Sequence, residues 1–480
     1  MKRQVVQIMT DTQGTNVLGC YGHPDLHTPH LDRFASQGLR FERAYTCQPV
    51  CGPARAALFT GQFPHTVGSW ANAMPIGQIT RTLGQRVQAA GLHTAYIGKW
   101  HLDAGDYFGT GQCPEGWDPA YWYDMRNYLD ELSEADRQKS RRQFAGVKRE
   151  FTFGHRCSNR AIDFLTKHHA EDFLLVLSYD EPHHPYLCPE PYASLFRNYT
   201  FPQNCTVAGN PEHQRVWAEN SAGVPVADYL GCNAFVDDEI GRVLDTIDRV
   251  APGALVIYTS DHGDMLGAHS ITNKGPAAYE EITNIPLLVR WPSQTPAGAI
   301  CRHPVSHIDI VPTILDYINH PPLGMLEGRS LLPCFRDPQV RVNDAVFIEF
   351  GRYETDHDGF GGFQPMRAIC DGRYKLAINL LASDELYDLA TDPDELTNRL
   401  TNPAYQSIRN RLHDQLLDWM NRTRDPFRGY YWERRPWRTD ARPPSWDYTL
   451  MTRQRAVESN EKQQLDYGTG LEIKEPTSPK

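Results

Sequence analysis

Short continuous apolar runs that end in reactive polar residues constrain this chain more than any other feature. Phe173–Ser178 reads FLLVLS, and Val5–Thr10, His93–Ile97, Ala254–Ser260 and Ile285–Trp291 are of the same kind. A run without polar alternation fits a strand buried on both faces, as in a parallel sheet covered by helices. Amphipathic stretches lie between the runs: Thr28–Gln37 with its Thr-Pro start, Thr80–Gly91 ending at Gly, and Val226–Val250. This alternation predicts an α/β domain with a large mixed, mostly parallel sheet sandwiched by helices. In such sheets ligands bind beyond the carboxyl ends of the strands. Asp11, Lys99, His183 and Asp261 lie at or soon after four of those ends, so one shared site is expected.

Beyond about Asn343 the texture changes. Ala345–Phe350, Met366–Cys370 and Tyr374–Asn379 read as strands of a small sheet, followed by a helix over Tyr405–Asn421. The expected organisation is a large α/β domain over 1–342 and a smaller α+β subdomain over 343–423. An extension over 424–480, rich in Arg, Pro and aromatics, runs into a polar tail without a core-forming pattern. Trp432 and Trp437 are expected to pack a subunit or tail contact, which points to a homo-oligomer.

Composition narrows the partners. The formal net charge of −11 disfavours non-specific nucleic-acid binding, while a few placed cations still attract a small anion. No stretch approaches the roughly 20 apolar residues that cross a bilayer. The start, MKRQVVQIMTDTQG, has too short an apolar run for a signal peptide. The 11 cysteines are odd in number and scattered, unlike a disulfide framework. A cytoplasmic protein with no membrane partner is expected.

The segment Gln48-Pro-Val-Cys51-Gly-Pro53-Ala-Arg55 contains Cys-x-Pro-x-Arg. Around it, in order, stand Thr10-Asp11-Thr12-Gln13-Gly14, Gly98-Lys99-Trp100-His101, Pro182-His183-His184-Pro185 and Ser260-Asp261-His262-Gly263. Lys274-Gly275 with Tyr279-Glu280 follows, then Glu385-Leu-Tyr-Asp388 with Asp392-Pro-Asp-Glu395. This set resembles the type I formylglycine-dependent sulfatases of the alkaline phosphatase superfamily, and is most similar to bacterial cytoplasmic members. The resemblance implies an alkaline phosphatase-like fold. It also implies hydrolysis of a sulfate ester on a small alcohol, a sulfated carbohydrate or an oligosaccharide. Cys51 would be oxidised to Cα-formylglycine by a separate maturase. The hydrated aldehyde then attacks sulfur with one hydroxyl, and the second hydroxyl expels sulfate by restoring the aldehyde, which splits one hard step into two easier ones.

By the same resemblance, Asp11, Asp261, His262 and residue 51 hold one divalent cation, Ca²⁺ first, with Mg²⁺ or Mn²⁺ as alternatives. Arg55, Lys99 and Lys274 would hold the oxyanions. His101 would take the diol proton, and His183 with Lys274 would serve the departing alcohol. Arg352 and His357, in a polar Gly-rich segment, are candidate substrate contacts. The chain departs from the commonest pattern at Thr12, where many members carry a second acid, and at His262, where many carry Asn. The Gln13 carbonyl is a candidate replacement ligand. The departure also fits formylglycine relatives that hydrolyse phosphonate monoesters or phosphodiesters. A third reading, a catalytically silent carbohydrate-binding relative, predicts erosion of motifs that are all present.

Overall fold

A computed structural model of the chain describes residues 2–141, 147–201, 225–292, 294–322, 324–354, 362–441 and 468–469. The larger sheet consists of β1 (Gln4–Thr10), β2 (Leu39–Tyr45), β3 (His93–Gly98), β4 (Phe173–Ser178), β5 (Leu255–Ser260), β6 (Asn284–Arg290), β7 (Ala299–Cys301) and β8 (Val305–Ser306). Its order is β3-β4-β1-β5-β6-β2-β7, with β8 also paired to β2. β3, β4, β1 and β5 are parallel neighbours, whereas β6 runs antiparallel to both β5 and β2. The fold is thus the mixed, mostly parallel sheet that the apolar runs predict.

Every residue of β1, β4 and β5 is buried, because helices cover both faces. Val6, Ile8, Leu175 and Leu177 pack on one face with Phe164 and Leu165 of the Phe153–His168 helix and Val236 and Ile240 of the Val226–Val250 helix. Val5, Met9, Leu174 and Val176 pack on the other with Leu58, Val87, Val311 and Ile314. The helix read over Thr80–Gly91 narrows to Leu83–Ala89, where a capping box joins Thr82 and Gln85. β2 had no clear signal: its LRFERAY places charged side chains at half-buried positions and hides the apolar pattern.

The second sheet is antiparallel, in the order β12 (Glu385–Asp388), β11 (Tyr374–Asn379), β10 (Met366–Cys370), β9 (Val346–Phe350). It packs under the Gln406–Arg422 helix through Ile369, Leu376, Leu412 and Leu416. Motif residues brace the two sheets together. Tyr279 Oη donates to Glu385 Oε1 at 3.0 Å, Glu280 N donates to Glu395 Oε2 at 2.7 Å, and Lys375 Nζ lies 2.6 Å from Glu280 and 2.9 Å from Glu395.

The described part of the extension folds back on its own chain. Trp432 is buried with Leu412, Leu416 and Trp419, and Asp425 takes two bonds from Arg367 at 2.6 and 3.0 Å. Trp437 Nε1 donates to Asp384 at 2.7 Å. Of the subunit or tail contact expected from sequence, these aromatics make the second, packing the extension onto the subdomain core. Residues 442–467 and 470–480 of the tail lie outside the described residues. Among the described residues no helix is long and apolar enough to cross a membrane.

Candidate active site

Because β3, β4, β1 and β5 are parallel neighbours, the residues that follow their carboxyl ends meet. Asp11 follows β1, Lys99 follows β3, Asp180 and His183 follow β4, and Asp261 follows β5. Gly98 has φ +120°, and a Cβ there would lie 1.8 Å from the Ser178 carbonyl oxygen, so only glycine lets β3 end this close to β4.

Cys51 is the first residue of a ten-residue helix, Cys51–Thr60, whose every residue is buried. Gly52, Ala54, Ala56 and Ala57 keep that helix thin enough to lie inside the protein. Its amino end, the positive end of the dipole, carries the Cys51 side chain. Gly52 N donates to Asn72 Oδ1 at 2.8 Å, which ties the helix start to the segment after it.

Cys51 Sγ lies 3.2 Å from His262 Nε2, 3.3 Å from Lys274 Nζ and 3.7 Å from Asp11 Oδ1. Ligand atoms of Asp11, Cys51, Asp261 and His262 all fall within 4.8 Å of one another, and all four residues are buried. His262 Nδ1 is 2.9 Å from the Gly263 carbonyl, which can only accept. Nδ1 therefore carries a proton, and Nε2, whose lone pair an ion would take, faces the cluster, the orientation of a metal-ligating histidine. Two carboxylates, an imidazole lone pair and the residue-51 side chain form a donor set that suits a divalent cation.

The cations divide into two kinds. Arg55 is fully buried: Nη2 donates to Asp11 at 2.9 Å, Nε to Asp261 at 3.1 Å, and Nη1 to the Lys99 carbonyl at 2.7 Å and Ser178 at 2.8 Å. It bonds the carboxylates of Asp11 and Asp261 at once. Lys99 Nζ lies 2.8 Å from Asp11 and 3.0 Å from Asp180. Lys274 Nζ contacts residue 51 directly.

The electrostatics follow from these contacts. Burial alone would raise the Asp11 carboxyl, but Lys99, His183, Arg55 and Lys274 outweigh it and hold Asp11 well below the usual carboxylate range. At Cys51, burial and Asp11 push the thiol up, while Lys274, Lys99 and His262 bring it well below an ordinary thiol. Residue 51 thus sits where negative charge is stabilised. Burial and the nearby Asp11 push Asp261 up to about 7, a conflict between two acids that a shared cation relieves. Burial lowers His101, which keeps its ring neutral near pH 7 and able to accept a proton. His101 has φ +60°, a left-handed backbone that is uncommon for a non-glycine residue and clusters at functional sites.

Thr12 also has a left-handed backbone, φ +63°. Its hydroxyl donates to Asp11 Oδ1 at 2.7 Å and accepts from Lys274 Nζ at 3.3 Å, while its N–H donates to Asp261 Oδ1 at 3.0 Å. A neutral hydroxyl therefore links ligand and lysine where an acid is common. Gln13 does not fill the gap. Its carbonyl accepts from Thr10 at 3.2 Å and from Tyr258, and its amide donates to Asn233 at 2.5 Å. A buried amide needs such partners, and the core supplies them.

Sequence reading missed Tyr107 and Asp180. Tyr107 Oη receives a bond from Lys99 Nζ at 2.9 Å, contacts Asp180, and lies 2.8 Å from His183 Nδ1. No motif marks Tyr107, since it sits in a loop; Asp180, two residues beyond β4, was legible from its place. Of the two candidate substrate contacts, Arg352 is half-buried with its guanidinium 5.8 Å from the Phe363 ring. His357 lies outside the described residues. The Tyr353 carbonyl accepts from Asn72 N at 2.9 Å, joining the 351–354 segment to the nucleophile helix through Asn72.

A family model described as sulfatase matches residues 3–320. The chain belongs to the sulfatase family. It is accordingly a sulfuric ester hydrolase. A second model, N-sulphoglucosamine sulphohydrolase C-terminal, matches residues 267–422. The chain is 44% identical over 487 residues to the uncharacterized sulfatase YidJ of Escherichia coli (strain K12), covering 97% of this chain and 96% of that one. Its fold is similar to a solved structure in complex with D-glucosamine-2-N,6-O-disulfate (TM-score 0.72, 21% identity, 89% of this chain and 99% of that one). It is also similar to the phosphonate monoester hydrolase of Agrobacterium radiobacter (TM-score 0.73, 23% identity, 88% and 96%).

Proposed function

We propose that this sulfatase hydrolyses a sulfate ester of a carbohydrate or small alcohol with a formylglycine made from Cys51. The observation that carries the reading is the position of Cys51 Sγ, at a buried helix amino end between His262, Lys274 and Asp11. Asp11, Asp261, His262 and residue 51 would hold one divalent cation, with Ca²⁺ preferred and Mg²⁺ or Mn²⁺ able to take its place. When present, the cation polarises sulfate oxygens and the hydrated aldehyde supplies a nucleophilic hydroxyl.

The remaining residues bind, orient and move protons. Arg55 fixes both carboxylates. Lys99 and Lys274 hold the sulfate oxygens. His101, neutral and beside residue 51, takes the proton as sulfate is released. His183 Nδ1 is tied to Tyr107 and, at 2.9 Å, to the His184 carbonyl, so Nε2 is left to protonate the departing alcohol. The sulfated sugar bound by a fold neighbour supports a carbohydrate substrate. A maturase would act on Cys51 before the site works. The scattered cysteines fit a cytoplasmic location.

One observation favours a second reading. Thr12 in place of an acid fits phosphonate monoester or phosphodiester hydrolysis, the activity named for one fold neighbour. Side-by-side kcat/KM on p-nitrophenyl sulfate and on a phenyl phosphonate monoester separates the two. Faster turnover of the sulfate is expected; turnover of the phosphonate alone would overturn the first reading.

A further inference from the structure

His93, His168 and Glu171 converge at the amino end of the larger sheet. His93 opens β3, His168 is the last residue of the Phe153–His168 helix, and Glu171 lies in the turn before β4. Their ligand atoms fall within 4.8 Å of one another. Five strand steps, about 16 Å, separate His93 from Gly98 at the active-site end, so this cluster is a separate place on the protein.

The hydrogen bonding around the cluster leaves a place for a cation. Glu171 lies 3.0 Å from His93 Nδ1 through one oxygen and 2.8 Å from His168 Nδ1 through the other. The far nitrogens are held as well: His93 Nε2 is 2.8 Å from Asp118 and His168 Nε2 is 2.7 Å from Tyr121 Oη. His93 therefore stands between two carboxylates. An ionised carboxylate only accepts, so a neutral ring would satisfy one and turn a lone pair at the other. A metal ion on Nδ1 would complete the contact to Glu171 while Nε2–H donates to Asp118. The rings are fixed, with centroids of His93 and His168 4.6 Å apart and edge-on. The helix carboxyl end at His168 favours positive charge.

The spacing suits a metal ion. Two ligand atoms about 2.0–2.1 Å from one tetrahedral ion lie roughly 3.3 Å apart, so the 2.8 and 3.0 Å separations here would widen by a few tenths of an ångström around an ion. Glu171 is 48% exposed, which leaves room for water as a fourth ligand.

We propose that His93 Nδ1, His168 Nδ1 and the Glu171 carboxylate form a binding site for Zn²⁺ or a similar borderline divalent ion. Asp118 and Tyr121 orient the two rings through their Nε2 atoms. The ion takes the place of the protons that face Glu171. It clips the start of β3 to the end of the Phe153–His168 helix and to the turn before β4. Its role is structural, since the reacting residues lie at the other end of the strands.

Zn²⁺ titrated calorimetrically into the metal-stripped full chain, with excess Ca²⁺ filling the Asp11–Asp261 pocket, tests this. One Zn²⁺ equivalent is expected to bind, and His168→Ala and Glu171→Gln are expected to weaken that event by about 100-fold. Co²⁺ in place of Zn²⁺ should give the visible bands of a four-coordinate ion, absent in both variants. Glu171→Gln changes a half-exposed side chain, so it reports on binding even if His168→Ala fails to fold. Absence of Zn²⁺ binding, or affinity unchanged in Glu171→Gln, would overturn the proposal.

Discussion

Arg55 Nη2 lies 2.9 Å from Asp11 Oδ2, both side chains fully buried, while Nε of the same guanidinium reaches Asp261 at 3.1 Å. One arginine thus sets the spacing of both carboxylates of the cation pocket. A lysine at 55 has a single point of charge and cannot hold the fork. Arg55→Lys is expected to raise the cation concentration for half-maximal activity by about 10–100-fold. Activity measured against Ca²⁺ concentration checks this; an unchanged half-saturation point with a raised KM would instead place Arg55 on the substrate.

Thr12→Asp restores the second acid. Aspartate tolerates a positive φ better than a β-branched residue does, so the backbone at Thr12, φ +63°, should accept it. Tighter Ca²⁺ binding is expected, with a higher ratio of sulfate to phosphonate turnover. Calorimetric Ca²⁺ titration and paired kinetics would reveal the opposite if the Thr12 hydroxyl were tuned for the pocket as it stands.

Tyr107 joins Lys99, Asp180 and His183 through a single hydroxyl. Tyr107→Phe removes that hydroxyl and its bonds from a charged network, about 1.5 kcal/mol or more in all. A fall in kcat/KM of about tenfold is expected, with the protein still folded, since the ring remains. Unchanged kinetics across the pH range would remove Tyr107 from the machinery.

A pH effect on stability is expected in the subdomain. His413 is buried, and burial lowers its pKa to about 4, although its bond to the Trp432 carbonyl works the other way. The unfolded chain binds the proton more readily than the folded one. The stability due to neutral His413 is therefore complete above about pH 6.5 and lost as pH falls toward 4, at about 1.4 kcal/mol per unit. Denaturant midpoints of the chain and of His413→Gln should converge between pH 6.5 and 5. Parallel curves would contradict this.

The larger sheet was legible because β1, β4 and β5 are buried on both faces and their sequences carry no polar alternation. The cluster at their carboxyl ends was legible for the same reason, since topology brings Asp11, Lys99, His183 and Asp261 together. β2 was not, because Arg40, Glu42 and Arg43 interrupt its apolar pattern. The direction in which Arg55 points was also hidden. A spacing motif names the residue, but only the folded chain shows its guanidinium reaching Asp11, Asp261, Ser178 and the Lys99 carbonyl. Gln13 misled because a side-chain carbonyl beside a ligand looks free until Tyr258 and Thr10 are seen to occupy it. Tyr107 reaches the site from a loop whose sequence carries no period.

The claim on which the mechanism rests is the chemical state of residue 51. Mass measurement of the peptide that contains it, on protein produced with a formylglycine-generating maturase, tests the claim most directly. A decrease of roughly 18 Da from the thiol form is predicted, with sulfatase activity rising in proportion to the converted fraction. Full activity in protein whose residue 51 is entirely unmodified cysteine would contradict it.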